Sequence, residues 1–215
     1  MTDEIVLLGA GGLAREAVEA TRMPVNRSGS VIFGYLDDDI GKHGQLIGGV
    51  PVLGPTTSAQ GLAPDLHFVA AVASSADPGR RLRLVERLGL DPARYGRVVH
   101  PAASLAPSTV LGAGVILLAG VVATCDVSIG RHVAVMPNCV LTHDVVLGDG
   151  CTLASGVQLA GGVQIGAGAY LGSGVTVREG LKIGDAAVIG MGSVVTRDVP
   201  AGEVWLGVPA RPHIR

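Results

Sequence analysis

The sequence predicts an α/β, Rossmann-like N-terminal domain followed by a parallel β-helix. A strand, a glycine-rich turn and a helix follow one another at the start of the chain, and aliphatic residues recur every six positions in its second half. The composition of 33 glycines and only 3% aromatic residues is typical of many short strands joined by tight turns, not of a helical bundle. We predict two domains, 1–97 and 98–215.

The segment "EIVLLGAGGLAREAVEAT" predicts a strand over 4–8, a glycine loop, and a helix over about 13–22. Gly9, Gly11 and Ala14 match a G-x-G-x-x-A pattern. Glycine in this pattern lets backbone N–H groups approach a phosphate at the N-terminus of a helix.

Further elements complete a small βαβ unit. A second strand, "SVIFGYL", ends at Asp37, Asp38 and Asp39, and a third apolar run, "HFVAAVA", precedes a helix predicted over about 78–88. We interpret the unit as a half-site for a nucleotide or nucleotide-sugar phosphate. A packing turn without a ligand and a nicotinamide site fit the same loop pattern, so both stay open.

The six-residue repeat decides the fold of the second domain. Counting by six from residue 105 reaches sixteen positions, and fifteen of them hold branched aliphatic residues. They are Leu105, Leu111, Leu117, Ala123, Ile129, Val135, Leu141, Leu147, Leu153, Leu159, Ile165, Leu171, Val177, Ile183, Ile189 and Val195. Each position ends a very short strand whose alternate residues face inward.

A second rhythm closes the coils. Glycine follows the repeat position at intervals of 18 residues, so three sides make one circuit. These residues are Gly112, Gly130, Gly148, Gly166 and Gly184. We expect them at a corner that needs unusual backbone angles, in a triangular solenoid of about five coils over residues 103–197.

Charge and cysteine content exclude several classes. The net charge is -2 and basic residues are scattered, which disfavours nucleic acid as a partner. The uncharged stretch 98–125 could suggest a membrane span, but its glycines, prolines and six-residue rhythm favour the solenoid. The first residues lack a basic signal-peptide region, so we expect a cytoplasmic protein. We interpret Cys125, Cys139 and Cys151, which lack zinc-ligand spacing, as small buried thiols.

Several motifs together resemble one family. They are the repeated [Leu/Ile/Val]-Gly-x-x-[small]-x pattern, the "GAGG" loop, the "DDD" run, the linker "VVHPAASLAP" and the closing "GVPAR". In these motifs the chain resembles bacterial nucleotide-amino-sugar N-acetyltransferases and the related sialic acid O-acetyltransferases. The resemblance covers essentially the whole chain. It implies a left-handed β-helix, a homotrimer, acetyl-CoA as acyl donor without a metal, and a nucleotide-activated amino sugar as acceptor. Acetylation of an amine is favoured, and acetylation of a sugar hydroxyl stays open.

One histidine has a carboxylate beside it at a predicted turn. His143 lies two residues after Leu141, which places it on a corner and facing away from the core, next to Asp144. An imidazole can accept a proton from an attacking nucleophile near neutral pH, and a neighbouring carboxylate can orient the ring. The resemblance implies that His143 is the general base and that Asp144 supports it.

The resemblance also implies ligand contacts. For acetyl-CoA they are Thr152, Gly161, Ser173, Met191, Pro209 and Ala210. For the nucleotide sugar they are Gly11, Gly12, Leu13, Asp37, Asp38 and Ala73. Relatives often have His at the positions of Leu13 and Thr152, Asn at that of Met136 and Gly at that of Ala73, so the identity of the sugar stays open.

Two other functions fit parts of the sequence. A γ-class carbonic anhydrase shares the solenoid but needs histidines that converge on zinc, and His132 and His143 are eleven residues apart. A non-catalytic protein that binds a nucleotide sugar is the alternative that the departures from the family pattern leave open.

Overall fold

The N-terminal part of the chain is a five-stranded sheet with one helix on each face. The computed structural model describes residues 3–23 and 30–213. In chain order the elements are β1 (Glu4–Leu8), α1 (Gly12–Arg22), β2 (Val31–Leu36), a 3-10 turn (Ile40–Lys42), β3 (Leu46–Ile47), β4 (Val50–Gly54), a 3-10 helix (Thr56–Gly61), β5 (His67–Ala70), α2 (Arg80–Leu88) and a 3-10 turn (Pro92–Arg94).

The strand order explains where ligands can bind. The order is β3-β4-β2-β1-β5, in which β4, β2, β1 and β5 are parallel and β3 is antiparallel to β4. Alanine and leucine side chains of α1 cover one face of the sheet, and Leu84 and Leu88 of α2 cover the other. The predicted strands and both helices are confirmed, with α2 starting at Arg80. The carboxyl ends of β1, β2 and β5 therefore meet at one edge, close to the start of α1.

The rest of the chain folds into stacked coils of two-residue strands. They are β6 (Val98–Val99), β7 (Ser104–Leu105), β8 (Val110–Leu111), β9 (Ile116–Leu117), β10 (Val122–Ala123), β11 (Ser128–Ile129), β12 (Ala134–Val135), β13 (Val140–Leu141), β14 (Val146–Leu147), β15 (Thr152–Leu153), β16 (Gln158–Leu159), β17 (Gln164–Ile165), β18 (Tyr170–Leu171), β19 (Thr176–Val177), β20 (Lys182–Ile183), β21 (Val188–Ile189) and β22 (Val194–Val195), followed by β23 (Val204–Leu206) and β24 (Arg211–Pro212).

These strands form a triangular prism with three faces, and each face is a sheet of parallel strands. Face 1 contains β6, β9, β12, β15, β18, β21 and β23, with β24 antiparallel at its end; face 2 contains β7, β10, β13, β16, β19 and β22; face 3 contains β8, β11, β14, β17 and β20. Each strand from β6 to β19 pairs with the strand 18 residues later, as in the pairing of Leu141 with Leu159. The repeat positions from Leu117 onward are all buried. The six-residue prediction is therefore confirmed.

The corner glycines correct one expectation. The residues with positive φ lie three positions after the repeat residues, among them Asp126, His132 and Asp144. Gly112 and its equivalents are absent from that set. A Cβ on Gly112 would lie 2.5 Å from the backbone carbonyl carbon of Gly130 on the next coil. Glycine recurs there because neighbouring coils approach too closely for a side chain, so the expectation of unusual backbone angles was wrong.

The cysteines divide into two classes. Cys139 and Cys151 are fully buried, as their inward positions predict, and both are free thiols. Cys125 is exposed, so its predicted burial is wrong. It lies two residues after Ala123, which is an outward corner position, and its Sγ lies 3.1 Å from a carboxylate oxygen of Asp126. The hydrogen bond and charge of that carboxylate raise the pKa of the Cys125 thiol.

The N-terminal part packs against face 1. Outward-facing residues of that face, Ile116, Leu118 and Ala134, join the apolar cluster of α1, and Val98 joins it from the first coil. The division at residue 97 stays a prediction. No helix in residues 3–23 and 30–213 is both long enough and apolar enough to cross a membrane.

Candidate active site

A cavity of about 570 Å³ opens at the carboxyl ends of β1, β2 and β5. All six residues predicted to contact the nucleotide sugar line it: Gly11, Gly12, Leu13, Asp37, Asp38 and Ala73. The cavity also has polar residues that the sequence interpretation missed, namely Lys42, Thr56, Asp77, Arg80, Arg83 and Arg87. The residues predicted from two separate motifs thus share one site, and their role in binding stays a prediction.

The glycine loop forms the floor of the cavity. Gly9 has a φ of 105°, and a Cβ there would lie 2.6 Å from Cγ1 of Val72 in the loop after β5. Helix α1 begins at Gly12, and no side chain caps its N-terminus. The backbone N–H groups of the first turn need acceptors, so this end of the helix suits an anion.

Asp37 is held by the loop and by a lysine. Its carboxylate accepts hydrogen bonds from the Ala10 N–H at 2.7 Å, the Asp39 N–H at 2.9 Å and Lys42 Nζ at 3.1 Å. Partial burial opposes ionisation, but these hydrogen bonds outweigh it and lower the pKa of Asp37. The carboxylate is therefore anionic and fixed at the end of β2, where it can accept hydrogen bonds from sugar hydroxyls.

Asp38 organises the opposite wall. One of its oxygens accepts from the N–H and the hydroxyl of Thr56, at 2.9 and 2.6 Å, and the other accepts from Arg87 Nη2 at 2.8 Å. Burial acts in the opposite direction, but the bonds from Thr56 and Arg87 bring the pKa of Asp38 to about 2. Asp38 thus connects the end of β2 with the 3-10 helix Thr56–Gly61 and with α2.

The basic wall belongs to α2. Arg80, Arg83 and Arg87 are spaced by three and four residues, so they share one face of the helix. This spacing, on the helix that follows a strand ending at the cavity, was the signal in the sequence that could have identified them.

His143 and Asp144 form an exposed pair on the β-helix. They lie between β13 and β14, at the corner that joins faces 2 and 3. His143 Nδ1 lies 2.8 Å from Asp144 Oδ2. A carboxylate can only accept, so Nδ1 donates and Nε2 is left as the proton acceptor. Asp144 has a φ of 61°, a conformation that aspartate tolerates better than most residues.

Gly161 lies directly under the His143 ring on the next coil. A Cβ at residue 161 would come within 3.0 Å of both Cε1 and Nε2 of His143. The His143 carbonyl oxygen also accepts the Gly162 N–H at 2.9 Å, which ties the two coils together. The absent side chain of Gly161 therefore provides the space that the ring occupies.

One chain does not bring the histidine and the cavity together. The N-terminal part contacts face 1, whereas His143 lies at the corner of faces 2 and 3. In a triangular prism that corner is opposite face 1. His143 and the cavity therefore lie on opposite sides of the prism of one chain.

Known proteins resemble this chain in sequence and in structure. Residues 126–161 and 162–197 match a family model described as bacterial transferase hexapeptide (six repeats). A GDP-perosamine N-acetyltransferase variant from Caulobacter crescentus, solved with CoA and GDP-perosamine, is 30% identical with a TM-score of 0.86, over 100% of this chain and 99% of that one. The chain belongs to the hexapeptide-repeat sugar N-acetyltransferases of the left-handed β-helix type.

Other solved structures are similar over the whole chain. The acetyltransferase domain of PglB from Neisseria gonorrhoeae, in complex with acetyl coenzyme A, is 26% identical with a TM-score of 0.86, over 99% of this chain and 100% of that one. WeeI from Acinetobacter baumannii is 25% identical with a TM-score of 0.66, over 99% and 100%. Comparison with curated proteins gave no match.

In this hexapeptide-repeat N-acetyltransferase, the residues predicted to contact acetyl-CoA occupy several places. Ser173 and Met191 are exposed at the corner of faces 1 and 2, one coil apart, and Pro209 is exposed in the C-terminal segment. Ala210 is fully buried and its N–H bonds to the Val194 carbonyl, and its contact with the cofactor stays a prediction. Gly161 lies at the corner of His143, so no single surface of one chain holds the whole set.

Thr152, another residue predicted to contact acetyl-CoA, is buried. It lies on face 1 beneath α2, and its hydroxyl accepts from Arg81 Nη2 at 3.1 Å. Its side chain is not exposed in one chain, and its contact with acetyl-CoA stays a prediction. The family resemblance suggested Thr152, and the contact with Arg81 could not be seen from the sequence.

Arg81 is a buried guanidinium at the contact between the two parts. It is 2% exposed and donates to the carbonyl oxygens of Val72, His132, Gly150 and Cys151 as well as to Thr152. Burial lowers the pKa of Arg81 to about 10. The guanidinium still carries its charge at neutral pH, because five acceptors replace the water it has lost.

The histidines do not converge. His132 is buried at the corner of faces 3 and 1, where its ring contacts Tyr95 edge-on at 4.5 Å, and His143 lies at a different corner. Residues 3–23 and 30–213 contain no group of three or more His, Cys, Asp or Glu side chains that could hold a metal ion.

Proposed function

We propose that this protein transfers an acetyl group from acetyl-CoA to the amine of a nucleotide-linked amino sugar, with His143 as the general base. The observation that carries the proposal is the combination of a nucleotide-sized cavity at the glycine loop with an exposed imidazole that a carboxylate orients. The solved relatives support it, since one of them was crystallised with CoA and a nucleotide amino sugar.

The proposed chemistry needs one proton acceptor. The amine nitrogen attacks the thioester carbonyl carbon, and Nε2 of His143 takes the proton that the nitrogen loses. The C–S bond then breaks, and the CoA thiolate takes that proton from the imidazolium. Asp144 stabilises the imidazolium while the proton is held. The products are the N-acetyl sugar nucleotide and free CoA thiol.

We propose that the active form is a homotrimer whose sites lie between chains. The position of His143 opposite face 1 supports this, because a cavity on one chain would then meet the histidine of a neighbour. Sedimentation should report about three times the monomer mass. A stable monomer with full turnover would contradict a shared site.

The central experiment measures release of CoA thiol with a panel of nucleotide-activated amino sugars. His143→Ala should lower turnover by about 10²–10⁴ while acetyl-CoA binding stays nearly unchanged. Asp144→Asn should cause a smaller loss. Asp126→Asn is its matched control, because Asp126 has the same backbone conformation at the same corner one coil earlier. Turnover that survives His143→Ala would place the base elsewhere.

A complementation test addresses the shared site. Gly12→Asp puts an anion at the N-terminus of α1, where no atom lies within 4 Å of the new Cβ, so it should block phosphate without disturbing the fold. Coexpression of Gly12→Asp with His143→Ala gives mixed assemblies. About a quarter of their sites should pair an intact cavity from one chain with an intact histidine from another, and activity should return at those sites. If cavity and histidine came from the same chain, the mixture would stay inactive.

A further inference from the structure

The cavity holds one cation that no aspartate neutralises. Four basic side chains line it, and three of them have carboxylate partners among the described residues: Lys42 pairs with Asp37, Arg83 with Asp77, and Arg87 with Asp38. The fourth is Arg80, the first residue of α2.

The guanidinium of Arg80 makes no hydrogen bond or ion pair with the side chains or backbone of residues 3–23 and 30–213. Its backbone N–H is bonded to the Asp77 carbonyl, which fixes the start of α2 at the cavity. A charged group at a binding cavity that lacks an internal partner is available for a ligand of opposite charge. Phosphate oxygens are acceptors that arginine can bind with two parallel N–H groups.

The position of Arg80 indicates which part of a ligand it would meet. The acidic residues that end β2 lie on one side of the glycine loop, and the loop after β5, which leads into α2, lies on the other. An anion at the uncapped N-terminus of α1 would lie between these two sides. Hydroxyl groups of a ribose suit the acidic side, and phosphate oxygens suit the side of Arg80.

We propose that Arg80 is a specificity-determining residue that binds the diphosphate of the acceptor nucleotide. This inference rests on the proposed function, because it assigns the orientation of the nucleotide in the same cavity. Different residues then bind the two parts of the nucleotide: Asp37 binds the ribose, and Arg80 with the first turn of α1 binds the diphosphate.

The test is calorimetric binding of UDP, GDP and dTDP, and of the matching nucleosides, without acetyl-CoA. For the diphosphate that wild type binds most tightly, Arg80→Gln should weaken binding roughly 10-fold, which is about the loss of one charge-assisted hydrogen bond. Binding of the nucleoside should not change. The diphosphate affinity of Arg80→Lys should lie between those of wild type and Arg80→Gln, since lysine keeps the charge without the paired N–H groups.

The matched control is Arg15→Gln, which removes the same charge from an exposed position on α1 outside this cavity. Binding equal to wild type is expected. Arg80→Gln lies at an exposed helix position and keeps a good helix former there, so it should fold normally.

Several results would overturn the inference: no diphosphate binding by wild type, normal diphosphate binding by Arg80→Gln, equal losses for nucleoside and diphosphate, or an equal loss with Arg15→Gln. The turnover assay on wild type is independent of these measurements. If wild type acetylates and Arg80→Gln binds the diphosphate normally, only the assignment of Arg80 is rejected. If wild type binds the diphosphate but acetylates no acceptor, only the proposed reaction is rejected.

Discussion

Gly161→Ala should separate the position of the catalytic ring from the stability of the fold. The new Cβ would lie within 3.0 Å of the His143 ring, whereas carbon atoms in ordinary contact are about 3.5 Å or more apart. The ring must therefore move by about 1 Å. Because a displacement of that size at a reacting group can cost about 10²-fold, we expect turnover to fall by roughly that factor.

Stability should change little. The His143 side chain is 67% exposed, so the ring can move into solvent without disturbing the core. Gly161 also lies outside the positive-φ region, so alanine fits its backbone and reduces the entropy of the unfolded chain. We expect the free energy of unfolding to change by less than about 1 kcal/mol in urea denaturation.

Two controls make the assay specific. Gly61→Ala has no atom within 4 Å of its Cβ and should leave turnover unchanged. In a His143→Ala background, Gly161→Ala should have almost no further effect, because it acts through the ring. If the loss persisted in that background and appeared as a higher KM for acetyl-CoA, Gly161 would be a cofactor contact, and the explanation based on ring position would be refuted.

Three further predictions concern stability and reactivity. Thiol labelling of the native protein should modify Cys125 before Cys139 and Cys151, and the rate at Cys125 should increase with pH. Rapid labelling of all three cysteines would contradict the register of the coils. Burial lowers the pKa of His132 to about 4, so the unfolded chain gains a proton first as pH falls below 6.5. Stability should therefore drop by on the order of 2 kcal/mol between pH 6.5 and 4. The check is a clearly smaller fall of the urea midpoint in His132→Gln over the same range. Arg81→Ala should cost about 2–4 kcal/mol because it leaves buried acceptors unpaired, whereas Arg83→Ala, which removes an exposed ion pair, should cost less than about 1 kcal/mol in the same denaturation assay.

The β-helix could be predicted because its constraint is local and repeated. Every coil must bury one aliphatic residue per side, so the register of Leu141 and its equivalents follows from spacing alone. Spacing does not reveal why a residue recurs. Gly112 recurs because the next coil leaves no space for a Cβ, and a sequence cannot distinguish that cause from a special backbone angle.

The candidate site was predictable only in part. Gly11 lies three residues after β1 and Asp37 directly after β2, so their place at one sheet edge could be deduced from chain order. The contact between Arg81 and Thr152 joins residues 71 positions apart, and it depends on how α2 lies against face 1. No local pattern encodes such a contact, which is why the buried state of Thr152 was missed.

Arg81 also bears on how two chains could form one site. Its guanidinium bonds the Val72 carbonyl, in the cavity wall, and the carbonyls of Gly150 and Cys151, at the edge of face 1. The prism itself is held by strand pairing along its whole length, so its faces and corners keep a constant relation to one another. Fixing the cavity to face 1 therefore fixes its direction relative to the His143 corner of the same prism. In the proposed symmetric assembly that direction is repeated in every copy, so Arg81 and the apolar contact of α1 with face 1 would together set how each cavity meets the histidine of its neighbour.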